Sequence, residues 1–210
     1  MYADIIAPTS PEELDTMSRK ALSTGYSKLG VVEDVQSRPH TFKVALLSAE
    51  DVPTVARRIR GRYDLLVVKP NSLEEARKVT ASRLVDAVMA TYDSDRPNFD
   101  YVCARQLKRN EGALIIPVRH FLDRMKEDPH VLRSVRLELK IALKAGVYPI
   151  IASFASNSKE IVPPRLLISL GEFFFDMKRG QAKMAIKEFP HYLISPERKL
   201  KLKGVGIHEV

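Results

Sequence analysis

The chain has 210 residues, 45% of them hydrophobic, and its 34 Lys and Arg against 26 Asp and Glu give a net charge of +8. This composition is typical of a globular protein with a sizeable core, and the positive charge favours an anionic partner, with nucleic acid first and a membrane surface second. A single cysteine, Cys103, excludes a disulfide framework or a Cys-based zinc site within the chain. No apolar run approaches the roughly 18 residues of a membrane span, and the start lacks a signal-peptide pattern, so we expect a cytoplasmic protein, or a nuclear one in a eukaryote.

The first half of the chain alternates apolar strands with amphipathic helices. Ser10, Pro11 and Glu13 form a helix start with an N-cap, a proline at the first helical position and a capping box, and Gly25 ends that helix. Further helices are predicted at 52–60 and 72–82. Strands are predicted at 2–7, 29–32, 42–47, 64–68 and 86–91.

The second half continues the alternation. Helices are predicted at 100–109, 129–145, 164–174 and 181–189, and strands at 113–117, 148–153 and, weakly, 191–195. In the helix 129–145 an apolar stripe is predicted to be buried, and Arg133, Arg136, Lys140 and Lys144 form a cationic stripe that only Glu138 interrupts. We expect this stripe to form the solvated outer face of a barrel helix. We expect Phe173, Phe174 and Phe175 in the core.

Seven or eight β/α units without a linker predict one α/β barrel of the TIM type over residues 1–195. An open, doubly wound parallel sheet is the alternative. Residues 196–210 carry Arg198 and three lysines among glycines, which predicts a flexible basic C-terminal tail.

Cations cluster where strands are predicted to end, and the carboxyl ends of parallel strands meet on one face. The candidate RNA-binding residues are Lys43, Lys69, Arg96, Arg119, His120 and Arg165, with the polar run 153–157 beside them. The planar donor fork of arginine matches phosphate, so convergent arginines can bind a folded RNA backbone. Because the chain has no Trp, recognition of backbone and shape is expected rather than of splayed bases.

Metal-dependent hydrolysis is the main alternative, because small β/α barrels often carry it. None of the five histidines stands at metal-ligand spacing from another, but Asp93, Asp95 and Asp100 could hold Mg²⁺ with His120 as a further ligand of a phosphoesterase. The simpler interpretation is that Asp100 caps a helix and that Cys103 is a small buried hydrophobe. We therefore predict no catalytic residue and no metal ligand. A general RNA- or ribosome-associated protein is a third possibility.

Several stretches of the C-terminal half resemble one family in order and spacing. They are 98–102 (Asn-Phe-Asp-Tyr-Val), 113–122 (Ala-Leu-Ile-Ile-Pro-Val-Arg-His-Phe-Leu), 164–171 (Pro-Arg-Leu-Leu-Ile-Ser-Leu-Gly), 181–182 and 189–190. Together they resemble the thirty-kilodalton subunit, or protein component three, of archaeal and eukaryotic ribonuclease P. The resemblance covers roughly residues 96–195, and the N-terminal half shares only the strand-helix rhythm.

This resemblance implies a barrel related to the polymerase-and-histidinol-phosphatase fold without that superfamily's metal-binding histidines. It implies a subunit of ribonuclease P that binds and stabilises the catalytic RNA, and that is inactive without this RNA. The RNA requires Mg²⁺ and removes the 5′ leader of precursor tRNA. A second small protein subunit is implied as partner in a heterodimer or heterotetramer, with precursor tRNA contacted indirectly. Arg119 and Arg165 become candidate RNA contacts and Asp100 a positioning residue. Tyr101, Val162 and Leu166 replace residues common in the family.

Overall fold

Strands and helices alternate along the part of the chain that the computed structural model describes, residues 1–32, 38–92 and 97–198. The strands are β1 (Tyr2–Ile6), β2 (Tyr26–Val32), β3 (Thr41–Ser48), β4 (Leu65–Lys69), β5 (Ala87–Met89), β6 (Ala113–Pro117) and β7 (Tyr148–Ala152). The helices are α1 (Pro11–Thr24), α2 (Arg57–Ile59), α3 (Leu73–Ala81), α4 (Tyr101–Arg109), α5 (Val118–Glu127), α6 (Val131–Ala145), α7 (Pro164–Phe173) and α8 (Arg179–Leu193). A π-helical turn (Val52–Ala56) precedes α2, and a 3-10 turn (Ser158–Glu160) precedes α7.

The strands form one parallel sheet in chain order, from β1 to β7. Successive side chains of a strand point to opposite faces, so Ile5 lies in an inner apolar cluster and Ile6 in an outer one. The inner cluster fills the space that the strands surround, and the outer cluster lies between strands and helices. Burial on both faces explains why these strands are almost continuously apolar.

The two outermost strands, β1 and β7, are joined by three kinds of hydrogen bond. The backbone N–H of Phe154 donates to the Ile5 carbonyl at 2.9 Å, and that of Ala7 donates to the Ala155 carbonyl at 2.8 Å. The buried carboxylate of Asp4 accepts the backbone N–H of Ser153 at 2.7 Å and its hydroxyl at 2.5 Å. Burial raises the pKa of Asp4 to about 6, although the hydrogen bonds from Ser153 and Ile5 oppose the rise. The sheet therefore closes into a barrel, which confirms the predicted fold and excludes the open sheet.

The predicted eighth strand at 191–195 is wrong. Residues His191 to Leu193 end α8, and Leu193 is buried in the inner cluster. This helix packs against both β1 and β7. Because the run 191–194 is short and mostly apolar, its periodicity does not distinguish a strand from a buried helix end.

Arg198 is buried at the amino end of the barrel, although the sequence places it in the basic tail. Its guanidinium donates to the Asp86 carboxylate at 2.6 Å and to the Glu111 carbonyl at 2.8 Å. Arg60 contacts the same carboxylate at 3.0 Å. Asp86 stands one residue before β5 and Glu111 two residues before β6, so Arg198 connects the end of the described chain to the barrel. Residues 199–210 lie outside the described residues, and a flexible tail there stays a prediction.

Two further differences from the predicted elements bear on function. The helix α5 between Pro117 and Pro129 was not predicted, and it begins directly after β6 with Val118 and Phe121 buried. Glu138 does not interrupt the cationic stripe of α6, because only 1% of its surface is exposed and it faces the core. The stripe itself is exposed as expected, at Arg133, Arg136, Lys140 and Lys144.

Candidate nucleic-acid interface

The carboxyl ends of the strands form the face on which the sequence predicts RNA contacts; we call it the rim. Lys69 is the last residue of β4, and Arg119 and His120 follow β6 directly, in the first turn of α5. Arg165 is the second residue of α7, which follows the loop that leaves β7. Because all strands run in the same direction, these elements end or begin at the same edge. Four of the six predicted RNA-binding residues therefore lie at the rim.

Lys43 does not lie at the rim. It is the third residue of β3, at the opposite, amino end of the barrel. Its backbone N–H donates to the Asp64 carboxylate at 2.9 Å, and its carbonyl accepts the Asp64 N–H at 3.0 Å. The predicted strand began at residue 42, so the position of Lys43 near a strand start was already contained in the sequence.

Arg96 lies outside the described residues, as do Asp93 and Asp95. The predicted role of Arg96 in RNA binding stays a prediction, and so does the acidic part of the alternative metal site. Within residues 1–32, 38–92 and 97–198, no three His, Cys, Asp or Glu side chains gather in an arrangement that could hold a metal ion.

Arg119 is held at the rim by backbone and carboxylate contacts. Its backbone N–H donates to the Ser153 carbonyl at 3.1 Å, and its guanidinium lies 3.2 Å from Glu160 and 4.0 Å from Asp123. Burial alone would raise the pKa of Glu160, but hydrogen bonds from Ser156 and Asn157 and the charge of Arg119 lower it. Since 43% of the Arg119 side chain stays exposed, the guanidinium is oriented and still reachable. The two carboxylates reduce its attraction for phosphate.

Arg165 is exposed and forms no ion pair with any residue in the described ranges. It stands in the first turn of α7, which is preceded by Pro163 and begins with Pro164. Lys159 in the preceding 3-10 turn is also exposed. The sequence analysis did not name Lys159, although its place two residues after Asn157 was a usable signal. Neither cation forms an ion pair with a described carboxylate, although Glu160 follows Lys159 in the chain and Glu13 accepts a hydrogen bond from the Ser158 backbone.

His120 is placed by an aromatic contact. Its ring stacks on Tyr92 with the centroids 5.3 Å apart and the planes 25° apart. The Tyr92 hydroxyl is buried and has no hydrogen-bond partner among the described residues. Burial, and then the nearby charge of Glu138, raise the pKa of Tyr92. His120 is half-buried and stacked on this tyrosine, so the aromatic contact fixes its ring at the rim.

Asp100 caps a helix, as the simpler interpretation of the sequence predicted. Its carboxylate accepts the Cys103 backbone N–H at 3.0 Å and the Arg77 guanidinium at 2.6 Å. Burial would raise the pKa of Asp100, but the hydrogen bonds from Arg77 and Cys103 outweigh it, and the pKa is lowered. Cys103 is buried and reduced, and burial raises the pKa of its thiol to about 11, which confirms the small buried hydrophobe.

Tyr101 is a rim residue that the sequence analysis did not select. It is the first residue of α4, which follows β5, and 57% of its surface is exposed. A partial signal was present, because Tyr101 directly follows the predicted N-cap Asp100 and therefore stands in the first turn of a helix. An exposed phenol at the rim offers a flat surface for a base.

No helix in the described part of the chain is long and apolar enough to cross a bilayer. No family model and no curated protein matches the sequence.

Solved structures do match the fold. A chain in the cryo-EM structure of archaeal ribonuclease P with mature tRNA aligns with a TM-score of 0.76 and 15% identity, covering 96% of this chain and 93% of that chain. A prolidase complexed with N-methylphosphonate-L-proline aligns with a TM-score of 0.61 and 10% identity, over 92% of this chain and 74% of the other. An ochratoxinase of A. niger gives 0.57 and 10%, over 93% and 71%. At these identities the likeness establishes the α/β barrel fold.

Proposed function

We propose that this protein is a subunit of a ribonuclease P particle, where it binds and stabilises the catalytic RNA that removes the 5′ leader of precursor tRNA. The observation that carries the proposal is the end-to-end agreement with the archaeal ribonuclease P chain, since 96% of one chain and 93% of the other align. By contrast, only 74% of the prolidase chain and 71% of the ochratoxinase chain align, so more than a quarter of each has no counterpart in this protein. The motifs of residues 96–195 lead to the same family without using the structure.

The chemistry of the rim supports this role. Arg165 and Lys159 present positive charge that no described carboxylate pairs, and Arg119 is oriented beside them. Guanidinium groups suit phosphate, and a partner that is a polyanion explains the net charge of +8. Tyr101 adds a surface on which one base can stack.

Under this proposal the protein is not catalytic on its own. The catalytic RNA, and not the protein, requires Mg²⁺. A second small protein subunit completes a heterodimer or heterotetramer, and precursor tRNA is contacted indirectly. We expect the particle in the cytoplasm. The alternative, a metal-dependent phosphoesterase, requires residues 93–96, because Asp100 and His120 are engaged in the cap and the aromatic stack.

Reconstitution tests the proposal. The protein and its partner are added to the RNA, and cleavage of precursor tRNA is followed across a Mg²⁺ titration. We expect the protein to lower the Mg²⁺ concentration that half-maximal cleavage requires, because its cations neutralise crowded phosphates. We expect no cleavage by the protein alone. Cleavage or phosphate-ester hydrolysis by the RNA-free protein with Mg²⁺ or Mn²⁺ would support the phosphoesterase instead.

Arg165 gives the sharpest variant for this assay. Arg165→Glu is expected to weaken RNA binding about tenfold, or about 1.4 kcal/mol, and to reduce the slope of log K against log salt by about one unit. Arg62→Glu is the matched control, because Arg62 is also exposed but precedes β4 at the opposite end of the barrel. Its affinity should stay within about twofold of the unmodified protein. Equal losses from both variants would show that net charge, and not the rim, governs binding.

A further inference from the structure

A concave surface that contains none of the rim cations lies between α6 and the segment that joins α7 to α8. It is a groove of about 540 Å³ lined by Arg136, Leu137, Leu139, Lys140, Leu143, Lys144, Phe175 and Asp176. Leu139 and Phe175 are buried and form its floor. Leu137 stands at its edge with 46% of its surface exposed. We call this surface the α6 groove.

The cationic edge of the α6 groove is not interrupted by a carboxylate of α6, because Glu138 faces the core. This is the acidic residue of α6, and the helix turns it into the core. Arg133, Arg136, Lys140 and Lys144 are therefore exposed along the helix at intervals of three and four residues, with no carboxylate of α6 among them. Residues at this spacing share one helix face, so the stripe follows the whole groove.

An unusually exposed aromatic residue, Phe173, stands two residues before Phe175, which lines the α6 groove. The sequence predicts Phe173 in the core, but 79% of it is exposed, whereas Phe175 is buried. The Arg136 guanidinium donates to the carbonyl of Phe174 at 2.7 Å and to that of Phe173 at 3.3 Å. These bonds join α6 to the end of α7, and the Phe173 ring lies edge-on to Phe174 at 5.4 Å. Phe173 is therefore held at the surface.

We infer that the α6 groove binds an amphipathic helix of a protein partner that carries apolar residues on one face and Asp or Glu along the edges of that face. The apolar floor with exposed Leu137 and Phe173 matches anchors at i, i+3 or i+4 and i+7, and the cationic stripe complements the acidic edges. The inference rests on the proposed function only in that a particle subunit needs a protein contact; the groove itself involves none of the rim residues.

The groove fits a protein better than a nucleic acid. Leu137 stands in the middle of the cationic stripe, where a phosphate backbone would bury it without an apolar partner. Apolar anchors surrounded by charge are typical of protein interfaces, where a few central side chains supply most of the binding energy.

Fluorescence anisotropy with the full chain tests the inference. The probe is a labelled 16-residue helical peptide with Leu at positions 4, 8, 11 and 15 and mostly Glu and Gln elsewhere. A version with Lys in place of Glu and a scrambled version without the apolar face are the reference peptides. We expect the acidic amphipathic peptide to bind at least tenfold more tightly than either. Equal affinity for the three peptides, or no binding by any, overturns the inference.

A pair of variants locates the binding site. Leu137→Ala with Lys140→Glu is expected to weaken the acidic peptide at least tenfold. The control is Val102→Ala with Arg105→Glu on α4, which changes the same kind of exposed pair three residues apart, and it should stay within twofold. Equal losses in the two variants, or no loss in either, overturn the inference.

An RNA arm separates this surface from the rim. The RNA of the reconstitution assay is titrated against the unmodified protein, the α6 double variant and Arg165→Glu. If the α6 variant loses peptide affinity and keeps its RNA affinity, the α6 groove is a protein surface. If the α6 variant loses as much RNA affinity as peptide affinity, the groove is a nucleic-acid surface and the inference is wrong.

Discussion

The buried carboxyl of Glu138 makes the stability of this protein depend on pH in a direction that one substitution tests. Burial raises the pKa of Glu138 from 4.5 to about 8, although the nearby backbone N–H groups of Asn98 and Phe99 lower it in part. A folded pKa above the unfolded one means that the folded state binds more protons between these two values. The stabilising contribution is complete below about pH 4.5 and is lost as the pH rises through 8.

The size of the effect follows from the shift. Each pKa unit corresponds to about 1.4 kcal/mol, so a rise from 4.5 to about 8 corresponds to a loss on the order of 5 kcal/mol at high pH. That is a large part of the roughly 5–15 kcal/mol that a typical domain has. Glu138→Gln removes the ionisable group and keeps the shape. We expect the variant to unfold like the unmodified protein near pH 5 and to be more stable by several kcal/mol at pH 9.

Urea unfolding at pH 5, 7 and 9 measures this difference. Asp4 adds a loss of the same sign, because its pKa is raised from 3.8 to about 6, so some decline with pH remains in the Glu138→Gln protein. The control is Glu188→Gln, an exposed residue of α8 whose replacement should leave the pH profile unchanged. If Glu138→Gln lost stability between pH 5 and 9 as steeply as the unmodified protein, ionisation of the buried carboxyl would not be the cause.

Three further predictions concern the rim, the helix packing and the amino end of the barrel. Tyr101→Ala should weaken RNA binding by about 1–3 kcal/mol, as measured by fluorescence anisotropy with labelled RNA, whereas Tyr101→Phe should bind RNA normally. Equal losses of RNA affinity in the two variants would contradict stacking of a base on Tyr101. Gly171→Ala should lower the free energy of unfolding in urea by about 1–3 kcal/mol, because a Cβ at this position would lie 2.9 Å from the Cβ of Ala182 in α8. An unchanged urea midpoint would show that α7 and α8 can move apart at no cost. Arg198→Met should lower the free energy of unfolding by about 3–5 kcal/mol, because it leaves the buried Asp86 carboxylate with Arg60 as its one guanidinium partner. A loss below about 1 kcal/mol would show that Arg60 alone is enough to stabilise this carboxylate.

The barrel was predictable because its signals are local. Capping residues such as Ser10 and Ser72, and apolar runs such as 65–68, indicate each element without reference to the rest of the chain, and the structure has the elements there. The end of α8 was not predictable in the same way. Leu193 and Arg198 are ordered by contacts with residues that stand far away in sequence, such as Asp86, which is 112 positions from Arg198.

The candidate site was predictable by position and less so by chemistry. The sequence placed Lys69, Arg119 and Arg165 at strand ends, which parallel topology turns into one edge. It did not indicate that Arg119 has a carboxylate at 3.2 Å, because Glu160 stands far away in the sequence, in the 3-10 turn that precedes α7. Nor did it indicate that Phe173 is exposed, since a run of three phenylalanines looks the same whether or not its first member reaches solvent.

The replacement of an eighth strand by the end of α8 determines where this molecule can hold a ligand. Barrel diameter grows with strand number, so seven strands enclose less volume than eight. Phe42, Phe154 and Leu193 already occupy that volume. In the part of the chain that the structure describes, the space that the strands surround is therefore filled by apolar side chains, and we expect ligands at the rim or on the outer surface of the barrel.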